Sequence, residues 1–265
     1  MKMTGYRQGT PSWVDLSTSD EAAAIEFYDG LFGWADEAND AGGGMVYHMQ
    51  KRGEDYVGAI SQQRPEEAGM GIPPHWGVYI TVDDVDATAA NVAAAGGQVL
   101  AEPFDVMDAG RMVVIADPAG AVVNLWQAKQ HPGAGVVREP NTFTWAELIT
   151  KDPATAAAFY KQLLGVSVTE SPGVGGEPYT MLAVDGEPVA GILKMTPQME
   201  SGGMPPNWFT YFQVADIDAA IERATSLGGQ SPMPVMEIPE MRFAILNDPQ
   251  GAAFGLMEES GANGS

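Results

Sequence analysis

The chain has 265 residues, 13 basic against 35 acidic, giving a formal net charge of −22, and it contains no cysteine. That acidity repels nucleic-acid phosphates and anionic lipid, so neither is expected as a partner, and disulfides, thiolate nucleophiles and thiolate-bound metals are excluded. The length allows two domains with separate cores; with no signal-like apolar stretch in Met1 to Arg7 and no run apolar enough to span a bilayer, a cytoplasmic protein is expected.

A first strand passes through Trp13, Val14, Asp15 and Leu16. It leads to a helix that Ser19 or Asp20 can cap, with Ala24, Phe27, Tyr28 and Leu31 on one apolar face and Gly33 as its stop. Further on, β-branched and aromatic residues predict a strand over 76–82, and a helix over 84–95 ends at Gly96-Gly97. Strands over 111–116 and 121–126 close the first half, and a linker over 130–140 turns at His131-Pro132-Gly133. The same elements then return. Asp152 caps a helix that opens with Pro153, strands are predicted over 207–214 and 242–246, and a helix over 216–227 ends at Gly228-Gly229.

The return is a duplication. Trp13-Val14-Asp15-Leu16 reappears as Trp145-Ala146-Glu147-Leu148, and Phe27-Tyr28 with Gly33 reappears as Phe159-Tyr160 with Gly165, both displaced by 132 residues. Pro73-Pro74-His75-Trp76 matches Pro205-Pro206-Asn207-Trp208, and Asp117-Pro118-Ala119-Gly120 matches Asp248-Pro249-Gln250-Gly251 one residue out of step. Two domains are expected, over 8–129 and 141–259.

The capping aspartate, the Phe-Tyr-x-x-Leu-Phe-Gly helix end, the Gly-Gly turn and the Asp-Pro-x-Gly signature resemble the vicinal oxygen chelate superfamily of glyoxalases, bleomycin-resistance proteins and extradiol dioxygenases. The Trp-x-Asp/Glu-Leu opening of both halves looks like the two-module glyoxalase-like proteins of actinobacteria. The resemblance implies an α+β fold of two tandem glyoxalase-like modules, each made of paired βαβββ units that form an eight-stranded open barrel around a cup. It also implies a link to antibiotic biosynthesis or resistance.

Enzymes of that superfamily hold a divalent metal on His, Gln or Glu side chains lining the cup. The columns where the resemblance would place such ligands hold Trp13, Ala59, Gly77 and Asn124 in the first half, and Trp145, Gly191, Phe209 and Gly255 in the second. A two-residue slip would bring in His75 alone, a residue better read as a strand edge, and His48 and His131 have no mates in the other half. Neither metal nor cofactor is expected.

Strand alternation puts Asp15 beside Trp13 and Glu147 beside Trp145, both facing the cup. A carboxylate against aromatic rings is poorly solvated, and its raised pKa suits proton transfer or the capture of a ligand hydroxyl or amine. The plainer reading is that each acid satisfies a local Arg, hydroxyl or amide. Arg111 and Arg242, six residues before the Asp-Pro-x-Gly aspartate in each half, are candidates for pairing with those acids. Trp13, Tyr79, Arg111, Asn124 and Trp126 in one half, and Trp145, Phe209, Tyr211 and Arg242 in the other, are the expected ligand-binding residues, whereas Trp34, Trp76 and Trp208 fall off the inward face. Met70, Met107, Met204 and Met241 form either an adaptable lip or core filler.

The first expectation is therefore binding or sequestration of a small, flat organic molecule without metal. The alternative is a metal-independent isomerase, lyase or tailoring enzyme using Asp15 or Glu147 as acid and base. Methylglyoxal detoxification ranks third, for want of ligands. Spacing leaves open whether the chain is a monomer or a homodimer, and whether units pair within a half or across halves.

Overall fold

The structure is a computed structural model and describes residues 1–173 and 178–259. In the first module β1 (Pro11–Thr18), α1 (Glu21–Phe32), β2 (Ala35–Gly42), β3 (Met45–Arg52) and β4 (Asp55–Gln62) make one βαβββ unit. After the short α2 (Pro65–Gly69), β5 (His75–Thr81), α3 (Val85–Val92), β6 (Gln98–Val106), β7 (Gly110–Ala116) and β8 (Val122–Ala128) make the second. The units join through the antiparallel pair β1–β5 into one sheet ordered β2-β3-β4-β1-β5-β8-β7-β6, so pairing occurs within the half.

The second module repeats this plan. Its first unit is β9 (Phe143–Thr150), α4 (Pro153–Leu164), β10 (Ser167–Pro172), β11 (Pro178–Val184) and β12 (Glu187–Lys194), followed by α5 (Pro197–Ser201). Its second is β13 (Asn207–Gln213), α6 (Ile217–Ser226), β14 (Met236–Ile238), β15 (Met241–Asn247) and β16 (Ala253–Glu259). The strand order is β10-β11-β12-β9-β13-β16-β15-β14. This is the α+β pair of curled eight-stranded sheets that the resemblance implied.

The helix ends follow from local chemistry. Asp20 accepts from Ala23 N and Asp152 from Thr155 N, and each helix stops at a left-handed glycine, Gly33 (φ 69°) or Gly165 (φ 72°). In the Asp-Pro-x-Gly turns, Asp117 Oδ1 accepts from the amides of Ala119 and Ala121, and Asp248 Oδ1 from those of Gln250 and Ala252. The carboxylate thus replaces the backbone partners that a tight turn leaves unmet.

The family motifs turn out to be the docking surfaces between modules. Helices α1 and α6 pack together, as do α3 and α4. A Cβ on Gly97 would stand 2.7 Å from Phe159 Cε2, and one on Gly229 would stand 3.0 Å from Phe27 Cε2, so each Gly-Gly turn admits the other module's phenylalanine. Tyr28 Oη donates to Asp248 Oδ2 across the interface (3.2 Å) and accepts from Trp76 Nε1 (2.9 Å). In the counterpart, Trp208 Nε1 donates to Tyr160 Oη (2.9 Å), and Tyr160 lies beside the carboxylate of Asp117 across the interface. Phe32, Trp34, Trp76, Phe212 and Phe254 complete one shared aromatic core. Trp34 Nε1 donates to Asn141 O (2.8 Å), which ties the first module to the entry of the second.

The stretch 130–140 is a strap over the first module. Ala134 N donates to Ser12 O, Gly135 N to Tyr56 O and Val137 N to Met1 O, while Val136 bridges to Lys2. Among the described residues no helix is long and apolar enough to cross a membrane.

Candidate functional site

Alternation on β1 sends Val14 and Leu16 into the core, both fully buried, and Trp13, Asp15 and Ser17 to the concave face. The same parity on β5 buries Trp76, Val78 and Ile80 and leaves Gly77 and Tyr79 facing the cup. Trp34, Trp76 and Trp208 sit in the core, off the concave face's polar row, at 1%, 4% and 6% exposure.

Each cup is built on one repeated constellation. In the first, Asp15 Oδ2 accepts from Tyr79 Oη (2.7 Å) and Tyr47 Oη (3.0 Å), and Tyr47 in turn accepts from Trp13 Nε1 (2.9 Å). In the second, Glu147 Oε1 accepts from Tyr179 Oη (2.7 Å), Oε2 accepts from Tyr211 Oη (3.0 Å), and Trp145 Nε1 donates to Tyr179 (3.0 Å). Tyr47 and Tyr179 were not singled out in the sequence, yet their separation, 179 − 47 = 132, is the displacement of the duplication. That signal was available.

Burial dominates the electrostatics. It pushes the carboxyl of Asp15 above the usual carboxylate range, with the hydroxyls of Tyr79 and Tyr47 pulling the other way. Burial likewise raises Glu147 against Tyr179 and Tyr211. The four phenols are themselves raised, by burial first and by the neighbouring carboxylate second, so they remain neutral donors.

Arg111 and Arg242 do not meet these acids. Arg111 makes two bonds of 2.8 Å to Asp86 at the start of α3 and approaches Asp105, and Arg242 binds Asp218, Glu237 and Glu258. The reason is parity: Met112 and Val114 face the cup from β7, so Arg111 lies on the opposite face with the helices, and Arg242 does so beside Phe243 and Ile245. Both arginines brace helix to sheet.

The other expected residues do reach the concave side. Trp126 packs edge-on to Tyr79 at 6.3 Å and donates through Nε1 to His131 O (2.9 Å). His131, carried in by the strap, stands edge-on to Trp13 at 4.5 Å. Its Nε2 is buried without a partner, and burial lowers its pKa to about 4, which keeps the ring neutral. Phe209 and Tyr211 pack with Ile149 and Met195 in a separate apolar cluster inside the second cup. Met70, Met107 and Met204 are exposed along the cleft, with Met241 half-buried beside them.

The ligand columns need a correction. Asp15, not Trp13, lies level with Ala59 and Gly77, whereas Trp13 is level with Tyr79 and, beyond it, Asn124. In the second module Glu147 lies level with Gly191 and Phe209. The column expected at Trp13 lies two residues further on, at Asp15, because the two share a face and parity does not separate them. The shift adds one carboxylate per cup, each tied to two tyrosine hydroxyls, beside glycine, alanine or phenylalanine. Among the described residues no three His, Cys, Asp or Glu side chains converge to hold a metal ion. The donor set does not fit the superfamily's divalent metal.

Two curled βαβββ pairs, docked through their Phe-Tyr helices and each carrying a polar row on its concave face, define a tandem vicinal-oxygen-chelate architecture. The sequence profile of the Glyoxalase/Bleomycin resistance protein/Dioxygenase superfamily matches residues 10–125 and again 142–256, and the chain belongs to that superfamily. It is 45% identical over 259 residues to CFP32 of Mycobacterium tuberculosis, whose name assigns it provisionally to the glyoxylases, covering 97% of both chains. It is 36% identical over 267 residues to the anthracycline biosynthesis protein DauV of Streptomyces sp. (strain C5), covering 97% of this chain and 95% of that one. The fold is also similar to a Mn(II)-bound glyoxalase from Novosphingobium aromaticivorans, with a TM-score of 0.66 at 17% identity over 96% of this chain and 84% of that one.

Proposed function

We propose that the protein binds a small, flat organic molecule in its aromatic-lined cups, held through the buried carboxylate rather than through a metal. The observation that carries this reading is the tyrosine-clamped acid set beside a tryptophan on the concave face, built twice from the same four positions. The two concave faces open into one cleft of about 3940 Å³. Small-molecule pockets enclose roughly 300–1,000 Å³, so selectivity has to come from the cup floors and not from the cleft as a whole. Indole and phenol rings with a few polar handles suit a conjugated ligand that carries hydroxyl or amine groups. The name of DauV points the same way, since anthracyclines are fused, hydroxylated ring systems.

Native mass spectrometry of protein purified from its own host tests this. A bound species of a few hundred daltons is expected, and it should be absent from the Asp15→Leu, Glu147→Leu double variant. A mass equal to the bare chain in repeated preparations would sink the proposal.

A second reading, acid–base catalysis without metal, is favoured by one detail. Both tyrosines use Oδ2 of Asp15, which leaves Oδ1 uncommitted toward the cup. In that case Asp15→Asn lowers turnover of the bound species by about 10²-fold or more while affinity stays within a few-fold. Turnover that survives the substitution rules the acid–base role out.

A further inference from the structure

We infer that the two cups have diverged in function: the first is the polar, ligand-taking cup, which reads a hydroxyl group between Asp15 and Asn124, and the second is closed by its own apolar side chains. This deepens the binding proposal and rests on it.

Gly77 stands at the centre of the contrast. A Cβ there would stand 2.8 Å from Asp15 Oδ1 and 3.4 Å from Asn124 Nδ2. The missing side chain therefore lets a carboxylate oxygen, without a hydrogen bond among the described residues, and an amide donor approach each other over the strand, and the notch between the two is open only from the cup side. Acceptor and donor facing one small space match a hydroxyl, which donates to the first and accepts from the second. Trp13, Tyr79, Trp126 and His131 stand around this notch as aromatic walls.

At the equivalent positions the second cup keeps Trp145 and Tyr211 but removes the notch and the groups that border it. Phe209 replaces Gly77, Gly255 replaces Asn124 and Met257 replaces Trp126, while both oxygens of Glu147 are engaged by tyrosines. The contrast runs up the walls. Ser17, Ser61 and Gln63 line the first cup where Ile149, Leu193 and Met195 line the second. Ile149, Met195, Phe209 and Tyr211 are all under 10% exposed and pack on one another, so the floor of the second cup presents carbon where the first presents polar groups.

A pair of flat probes separates these ideas: 7-hydroxycoumarin, and 7-methoxycoumarin, which cannot donate to Asp15. Each is titrated into the full chain while the indole N–H resonances of the six tryptophans are followed by NMR, with Trp13→Phe and Trp145→Phe assigning the two that matter. The hydroxy compound is expected to shift Trp13 and not Trp145, and to bind at least about tenfold more tightly than the methoxy compound, the loss that goes with one hydrogen bond to a charged group. Asn124→Leu, which removes the donor at similar volume, and Gly77→Ala, which puts a methyl in the notch, should each erase that preference. Shifts at Trp145 alone, or equal shifts at both, overturn the division of the cups and leave the binding proposal standing, as does a preference for the hydroxyl that survives Asn124→Leu. If neither probe moves any indole at millimolar concentration, the binding proposal falls together with this one.

Discussion

Burying a carboxylate between two phenols sets desolvation against hydrogen bonding, and at Glu147 desolvation prevails, since its carboxyl is raised. The folded state then holds its proton at pH values where the unfolded chain has released it. Stability from this group falls as pH rises through the window between the unfolded and folded values. Glu147→Gln keeps an acceptor for one tyrosine and abolishes the titration. The melting temperature of this variant, relative to the parent, should therefore be more favourable at pH 7 than at pH 4. A difference of the opposite sign would show that the two hydroxyls outweigh burial. Asp15 and Glu147 were legible in the sequence because alternation alone carries a strand residue to a face. Tyr79 and Tyr211 were legible by the same alternation, but Tyr47 and Tyr179 were not, because β3 and β11 lack strong punctuation: β3 reads Met45–Arg52 with polar and apolar residues mixed. The duplication offset would have supplied what the local pattern did not.

Among the elements, the strap over 130–140 does more than join modules, because it delivers His131 into the first cup beside Trp13. That ring must be neutral to sit there. Its pKa falls from 6.5 to about 4 on burial, so the unfolded chain binds the proton first and stability is lost as pH drops through that interval. The shift corresponds to at most about 3 kcal/mol. His131→Phe keeps the edge-on contact and cannot titrate. Unfolding free energies of the two proteins should diverge by about 2 to 3 kcal/mol between pH 7 and pH 4.5, to the disadvantage of the parent. Parallel curves would mean that the ring accepts a proton in place. A turn at His131-Pro132-Gly133 was readable from composition, but contact of a linker with a cup is a tertiary fact with no periodicity to announce it. The short helices α2 and α5 were missed for a related reason. Each is five residues long, below the length at which an apolar face recurs, and Pro65 and Pro197 mark only their starts. Arg111 and Arg242 show the opposite error: equivalent places in a repeat were legible, but the face of the strand was not assigned.

For the molecule as a whole, the shared aromatic core makes the two modules one folding unit. Phe212 of the second packs on Phe32, Trp34 and Trp76 of the first at ring distances of 5.0 to 5.5 Å. Phe212→Ala should cost about 3–5 kcal/mol and lower the melting of both sheets together. Calorimetry is expected to show one transition in both the parent and the variant, and two resolved transitions would contradict the shared core. The tandem architecture was legible because duplication writes the same motif twice. How the copies embrace was not, since the contacts are made by residues such as Phe27 and Gly229 that are far apart in the chain.

That embrace also governs where the copies are free to differ. In the polar part of the interface Tyr28 matches Tyr160, Trp76 matches Trp208 and Asp117 matches Asp248, each identical to its mate, whereas the apolar packing around them has drifted: Phe32, Trp34, Phe212 and Phe254 have Leu164, Val166, Ile80 and Val123 as their mates. The cup walls answer only to their own repeat, and there serine has parted from isoleucine and glycine from phenylalanine. A gene fused to its own copy in this way keeps a few polar pins along its seam while its packing and its two hollows specialise apart.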